Sequence, residues 1–189
     1  RGRIRGTVFM FLELPSRVRF DAMTQFGPVA ILTSDGEEFA LTDLRENRFL
    51  SGPTCPRNIA RLLGIPMSGE DVARLLVGDT PRLAAERSSI ETVRGGYVVT
   101  LEAENGVRQE IELGVREADL EAAPLEQRLR LRRSEVFDAE GRSLWRVSYD
   151  DYRVVEDPRS DADPRMGVAI PFSVRFVDAS TGADTTVVV

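Results

Sequence analysis

The side chains that could do chemistry in this chain are few and poorly matched to one another. Carboxylates occur as adjacent pairs such as Glu37-Glu38 and Asp150-Asp151, and in a loop as Asp157, Asp161 and Asp163. Acid–base work would need both carboxyls on one side of the backbone, whereas neighbours along a strand point to opposite faces. The loop acids lack the ordered ligand spacing that a calcium ion requires. Cys55 is the only thiol, which leaves no internal disulfide and no cysteine-rich metal site. A helix dipole could lower its pKa, yet a nucleophile of that kind also needs a base, and the chain has no histidine. That absence removes the commonest general base and the commonest zinc ligand. No glycine-rich phosphate loop opens a helix. The expectation is a protein that is not an enzyme, with no catalytic residues, no cofactor and no metal.

Composition narrows the field further. A chain of 189 residues with 42% hydrophobic and 30% charged side chains can bury a real core, and no apolar run is long enough to cross a membrane as a helix. All 25 basic residues are arginine, the net charge is −6, and acids and arginines are interspersed. Nothing resembles the basic stripe that nucleic acid requires. The densest basic cluster, Arg128, Arg130, Arg132 and Arg133, reads first as a solvated strand face and second as a contact for an anionic headgroup or partner. The sequence opens Arg-Gly-Arg without methionine, so an upstream segment, a signal peptide or a lipid-modified cysteine, is expected to have been removed.

The elements that position these residues are mostly strands, interrupted once. Between Thr54 and Leu83 the pattern changes to two short amphipathic helices. Ile59, Leu62 and Leu63 share one face of the first; Val72, Leu75 and Leu76 share one face of the second. Thr54 or Cys55 can cap the first helix, Pro56 fits its opening turn, and Gly64 ends it. Ser68 with Asp71 forms a variant capping box, Met67 can staple onto Val72, and Gly78 and Pro81 stop the second helix. Elsewhere period-two alternation dominates: Val18 and Phe20 against Arg17 and Arg19, and Tyr97, Val99 and Leu101 beside Ile111 and Leu113. Ser34-Asp35-Gly36 and Asn105-Gly106 mark hairpins. With no repeat and no long linker, the reading is one α+β domain over 1–189. Ten or eleven antiparallel strands would form a curved sheet, with the apolar sides of the helix pair at about 55–78 lying on it.

The order of these features resembles a known family. A first strand precedes Arg17-Val-Arg-Phe-Asp21, Phe26-Gly-Pro28 and a hairpin. Phe49-Leu-Ser-Gly52, the helix pair and a run of strands follow. This looks like the LolA/LolB-like outer-membrane lipoprotein carriers and receptors. The helix block, Ile59-Ala-Arg-Leu-Leu-Gly-Ile65 and Val72-Ala-Arg-Leu-Leu-Val-Gly78, is closer to the LolB-like lipoproteins. The match runs from Ile4 to about Leu83; beyond that the strand pattern is only compatible.

The resemblance implies an unclosed β-barrel with a helical lid and an apolar space between them that takes lipid or lipoprotein acyl chains. Its walls would be Phe20, Phe39, Val99, Leu101 and Ile111, with Phe9 or Phe11 from the first strand. The lid's underside would be Ile59, Leu62, Leu63, Val72, Leu75 and Leu76. Arg17 or Arg19 would stand where the carrier's sheet arginine bonds to the lid. It further implies a monomeric, periplasm-facing protein that transfers or inserts lipoproteins. An N-terminal lipid anchor would tether it to the outer membrane of a Gram-negative bacterium. From pattern alone the same residues are ordinary core. The competing reading is therefore an envelope interaction or sensor module that keeps the fold without acyl cargo.

Overall fold

Val8 to Leu12 are five consecutive apolar residues, and they build the first strand of a meander in which each strand pairs with the next. The computed structural model of the chain describes residues 7–120, 129–155 and 167–188. It divides into two compact units, Arg1–Arg74 and Leu75–Val189. In the first unit, β1 (Thr7–Glu13), β2 (Arg17–Thr24), β3 (Gly27–Ser34), β4 (Glu38–Asp43) and β5 (Arg48–Pro53) form one antiparallel sheet in that order. Asp35 turns the β3–β4 hairpin by accepting the N–H groups of Glu37 and Glu38, both at 2.9 Å. Those two bonds hold its carboxyl below the ordinary carboxylate range. Gly36 takes φ +103 there, a conformation that a side chain would strain. Asp43 makes the same kind of turn before β5 through Arg45 and Glu46.

Antiparallel partners share a face, so register tells which side chains look the same way. One row runs Met10, Phe20, Leu32, Leu41, Leu50 across the five strands. A neighbouring row runs Phe9, Asp21, Ile31, Thr42, Phe49 on the opposite face. Two helices follow, α1 (Pro56–Leu63) and α2 (Gly69–Leu76). Gly64 closes α1 in the left-handed conformation, its N–H bonded to the Ala60 carbonyl. Ser68 starts α2: its Oγ accepts the Asp71 N–H at 3.1 Å and donates to the Asp71 carboxylate at 2.8 Å.

The second unit holds β6 (Arg87–Val93), β7 (Gly96–Glu102), β8 (Arg108–Val115), β9 (Leu129–Phe137), β10 (Ser143–Val155), β11 (Val168–Asp178) and β12 (Ala183–Val188). They form one antiparallel sheet in sequence order. Asn105-Gly106 makes the β7–β8 hairpin, with Gly106 at φ +80 and the Asn105 side chain accepting from Val107. One face of this sheet carries its core: Val147, Phe176, Val174 and Tyr149 are all buried, and Trp145 stacks on Phe176 at 6.1 Å. Neither sheet closes on itself; β1 and β5 are the edges of the first, β6 and β12 of the second.

The fold class is therefore the expected one, α+β on antiparallel sheet that does not close, with two short helices. The described residues contain twelve strands rather than ten or eleven. The added one, β6, is exposed on both faces and shows no apolar alternation to read. β10 runs as one strand from Ser143 to Val155. Asp151 takes φ +52 and, like Phe172 across from it, is left out of the ladder to β11, whose register is the same on either side. The loop acids Asp157, Asp161 and Asp163 lie outside the described residues.

Candidate functional site

Helix and sheet of the first unit face each other around a void of about 20 Å³. From the strands it is lined by Val18, Phe20, Leu32, Ser34 and Phe39. From the helical side come Ile59, Leu63, Gly69 and Val72. Ser34 is the one polar residue in that lining, and its Oγ is occupied by the Gly36 N–H at 3.0 Å. A space of that size holds about one water molecule. An acyl chain enters only if the helical side moves away.

The two helices are not held alike. α2 has its Ser68 cap, an ion pair from Glu70 to Arg74 at 2.8 Å, and a Val72 that is 3% exposed. α1 begins at Cys55 with no side-chain cap and no acid in its first turn. Thr54, the other capping candidate, instead donates its hydroxyl to the carbonyls of Gly36 and Glu37. Asn58 ties the first turn of α1 to the Pro53 carbonyl at 2.9 Å. Ile59 is the fully buried member of this helix. Gly52 matters locally, since a Cβ there would stand 3.4 Å from the Phe39 ring and 3.6 Å from the Asn58 amide.

The structure brings together five of the residues named from sequence: Phe20, Phe39, Ile59, Leu63 and Val72. Leu62 is half-buried on α1 and does not line the void. Leu75 and Leu76 fall in the second unit, Leu75 almost wholly buried. Val99, Leu101 and Ile111 are also in the second unit, on one face of its sheet, Val99 opposite Ile111 and Leu101 opposite Gln109. Phe9 and Phe11 are corrected. They pair with Asp21 and Arg19 on the sheet face turned away from Phe20, and both are more than half exposed. Met10 and Leu12 take the expected side, because a one-residue step along a strand reverses the face. Arg17 and Arg19 share the face of Phe11; Arg19 bonds Asp21 at 2.9 Å and Arg17 approaches Glu13 at 3.6 Å, so neither joins the helices.

Val18, Leu32, Ser34 and Gly69 complete the lining without having been named as wall or lid. Val18 and Leu32 are legible once register is known, being two residues from and directly opposite Phe20.

One polar cluster was misread. Arg130, taken with its neighbours as a solvated face, is 6% exposed and bonded to Asp119 through both Nε and a terminal nitrogen, at 3.2 and 2.9 Å. Arg116 grips the same carboxylate at 2.8 and 3.1 Å. Bonding from Arg116, and then from Arg130, outweighs burial and holds the Asp119 carboxyl below its ordinary range. Burial pushes the nearby Tyr152 hydroxyl up, and it donates to the Leu131 carbonyl at 2.7 Å. This cluster is satisfied internally and fixes the turn at Glu117–Asp119. A larger pocket of about 220 Å³ opens near the β7–β8 and β9–β10 turns, but it is lined by Arg87, Glu102, Arg108 and Asp138 and does not suit an alkyl chain. Among the described residues no three acidic or thiol groups are placed to hold a metal, and no described helix is long and apolar enough to cross a membrane.

No protein-family model matches the chain, and no curated protein does. Solved structures do. A LolA superfamily protein from Nitrosomonas europaea is similar over 95% of this chain and 72% of its own, at 11% identity and a TM-score of 0.48. A domain described as an outer-membrane lipoprotein-sorting protein, from Vibrio parahaemolyticus, is similar over 94% of this chain and 71% of its own, at 10% identity and a TM-score of 0.42.

Proposed function

We propose that the protein is a non-enzymatic binder of lipid or lipoprotein acyl chains, taken up between the five-stranded sheet and the helices that face it. The observation that carries this reading is the void itself. Two apolar surfaces, one on strands and one on helices, meet around a residual space whose cover, α1, starts without a side-chain cap. Burying a methylene is worth about 0.8 kcal/mol, so a 16-carbon chain offers on the order of 12 kcal/mol before costs. Freeing Ile59 and Leu63 from the sheet costs roughly 2–3 kcal/mol each, and an entering chain would cover the uncovered wall again. The exchange is favourable and remains reversible, as a carrier or receptor requires. No reaction is needed for it.

The same proposal places the chain at the bacterial outer membrane, facing the periplasm, on the LolB-like side of the family that its sequence resembles. It treats 1–189 as one working module, and it includes tethering through an N-terminal lipid. Acylated lipoproteins or lipids are the partners. The smallness of the void favours a second reading, an envelope interaction or sensor module in which that space is permanently filled.

A competition experiment separates the two. The purified chain is titrated with an apolar fluorescent probe, then with a triacylated lipopeptide or the same peptide without its acyl chains. Displacement by the acylated peptide alone is the expected result. Failure of the probe to bind, or equal displacement by both peptides, would sink acyl binding and leave the interaction module.

A further inference from the structure

We propose that β1 is a self-pairing edge, through which two copies of the chain associate weakly about a twofold axis at Met10. β1 pairs with β2 on one side, and no described strand occupies its other side. Such an edge presents a row of unpaired N–H and C=O groups, and proteins ordinarily blunt it with charge, proline or a bulge. β1 has none of these between Val8 and Leu12, and its register with β2 is unbroken from Thr7 to Glu13. Its side chains are open on both faces: Val8 is 49% exposed, Phe9 52% and Phe11 57%.

The occupant follows from the order of residues. Val8-Phe9-Met10-Phe11-Leu12 reads nearly the same in both directions. Antiparallel pairing about Met10 sets Phe9 against Phe11 of the second copy and Val8 against its Leu12. Each pair then falls on one face of the joined sheet. An isologous twofold contact requires just such a self-complementary patch. Charges do not oppose it. Glu13 would meet a neutral Thr7 of the second copy, and its own Arg17 stands 3.6 Å away. The seam closes roughly 400 Å² per partner, about half of a standard stable interface, so the association is concentration-dependent rather than obligate. Where the sequence alone led to a monomer, the edge implies a monomer–dimer equilibrium.

Sedimentation of the whole chain over roughly 10 μM to 1 mM reads this directly. The average mass should rise from 21.0 kDa towards twice that value. Phe9→Lys should hold it at the monomer without lowering the thermal midpoint. In a Cys55→Ser background, Met10→Cys places the two thiols opposite each other with Cα atoms about 4.5–5.5 Å apart, within disulfide reach. Phe9→Cys leaves its two thiols diagonal and about 7–8 Å apart. Oxidative cross-linking should run about tenfold faster for the first, given that separation. A constant monomer mass throughout, a Phe9→Lys protein that dimerises like its parent, or equal cross-linking rates would each overturn the proposal. Should Phe9→Lys fail to fold, the cysteine pair decides alone.

Discussion

Gln109 holds Leu83 in place of a strand. Its side-chain oxygen accepts the Leu83 N–H at 2.7 Å, and its nitrogen donates to the Pro81 carbonyl at 2.7 Å and to the Ser134 hydroxyl at 2.9 Å. Both Gln109 and Ser134 are wholly buried on the core face of the seven-stranded sheet. Tyr149 adds a bond from its hydroxyl to the Asp79 carbonyl at 2.6 Å, and burial raises the pKa of that hydroxyl. The segment after α2 is thus laid against its own unit by side chains that replace a ladder.

Gln109→Leu should therefore be far more damaging than its similar volume implies. It strips the part-buried Leu83 N–H and the buried Ser134 hydroxyl of their partner and leaves the Pro81 carbonyl only the Thr80 hydroxyl at 3.4 Å. At roughly 1–3 kcal/mol for each group left without a partner, a loss of about 3 kcal/mol is expected. Urea unfolding followed by circular dichroism gives the number. A loss below about 1 kcal/mol would mean that water or a shifted strap meets the same groups.

The Asp119 carboxylate gives the chain a pH signature. Its folded pKa is depressed by Arg116 and Arg130, so the folded state binds fewer protons than the unfolded one. The stability it contributes is present above its unfolded value, about pH 4, and is lost as pH falls through the folded value. Asp119→Asn should cost about 3 kcal/mol at neutral pH, chiefly by leaving Arg130 buried without its partner. The gap between parent and variant should narrow steadily as the pH falls below about 4. A gap that stays constant with pH would assign the loss to packing alone.

The start of α1 offers room for improvement. Cys55 sits at the N-cap with φ −75 and ψ 155, the backbone that a capping serine adopts, but its thiol makes no capping bond. Cys55→Ser should stabilise the protein by about 0.5–1 kcal/mol, while Ser68→Ala, which removes a cap already made, should cost about 1 kcal/mol. Thermal melts of the two single variants and the double test the pair. A destabilised Cys55→Ser would indicate that the thiol packs in a way a hydroxyl cannot match.

Much of the architecture was legible because it rests on local rules. Gly64, Ser68 with Asp71, Ser34-Asp35-Gly36 and Asn105-Gly106 each fix a turn or cap through their own backbone chemistry. Period alone marked Phe20, Phe39, Ile59, Leu63 and Val72 as apolar-face residues, and all five line the void. What failed was whatever depends on phase or on partners distant in sequence. In an unbroken run such as Val8 to Leu12, alternation gives no phase, so Phe9 could not be told from Met10 until the pairing with Phe20 fixed it. Arg130 looked solvated because its partner Asp119 lies on a separate turn, and a bulge in the β8–β9 pairing breaks the alternation beside it. β6 carries polar side chains on both faces, and only its pairing with β7 makes it a strand.

The void under α1 gives the last and most direct prediction. Phe20 lines it, paired with Met10 on one side and Leu32 on the other. The Phe20 ring is half-buried, so Phe20→Ala should cost about 2 kcal/mol, less than a fully buried phenylalanine would, and the variant is best studied with its unfolding curve in hand. If acyl chains enter here, the enlarged space spares part of the cost of moving α1. An apolar probe should then bind more tightly than to the parent, even as stability falls. Phe11→Ala, on the opposite face, should change probe affinity little. Equal affinities for parent and Phe20→Ala, both folded, would place any lipid site elsewhere. Tighter binding by Phe20→Ala alone would locate it between Phe20, Phe39 and Ile59.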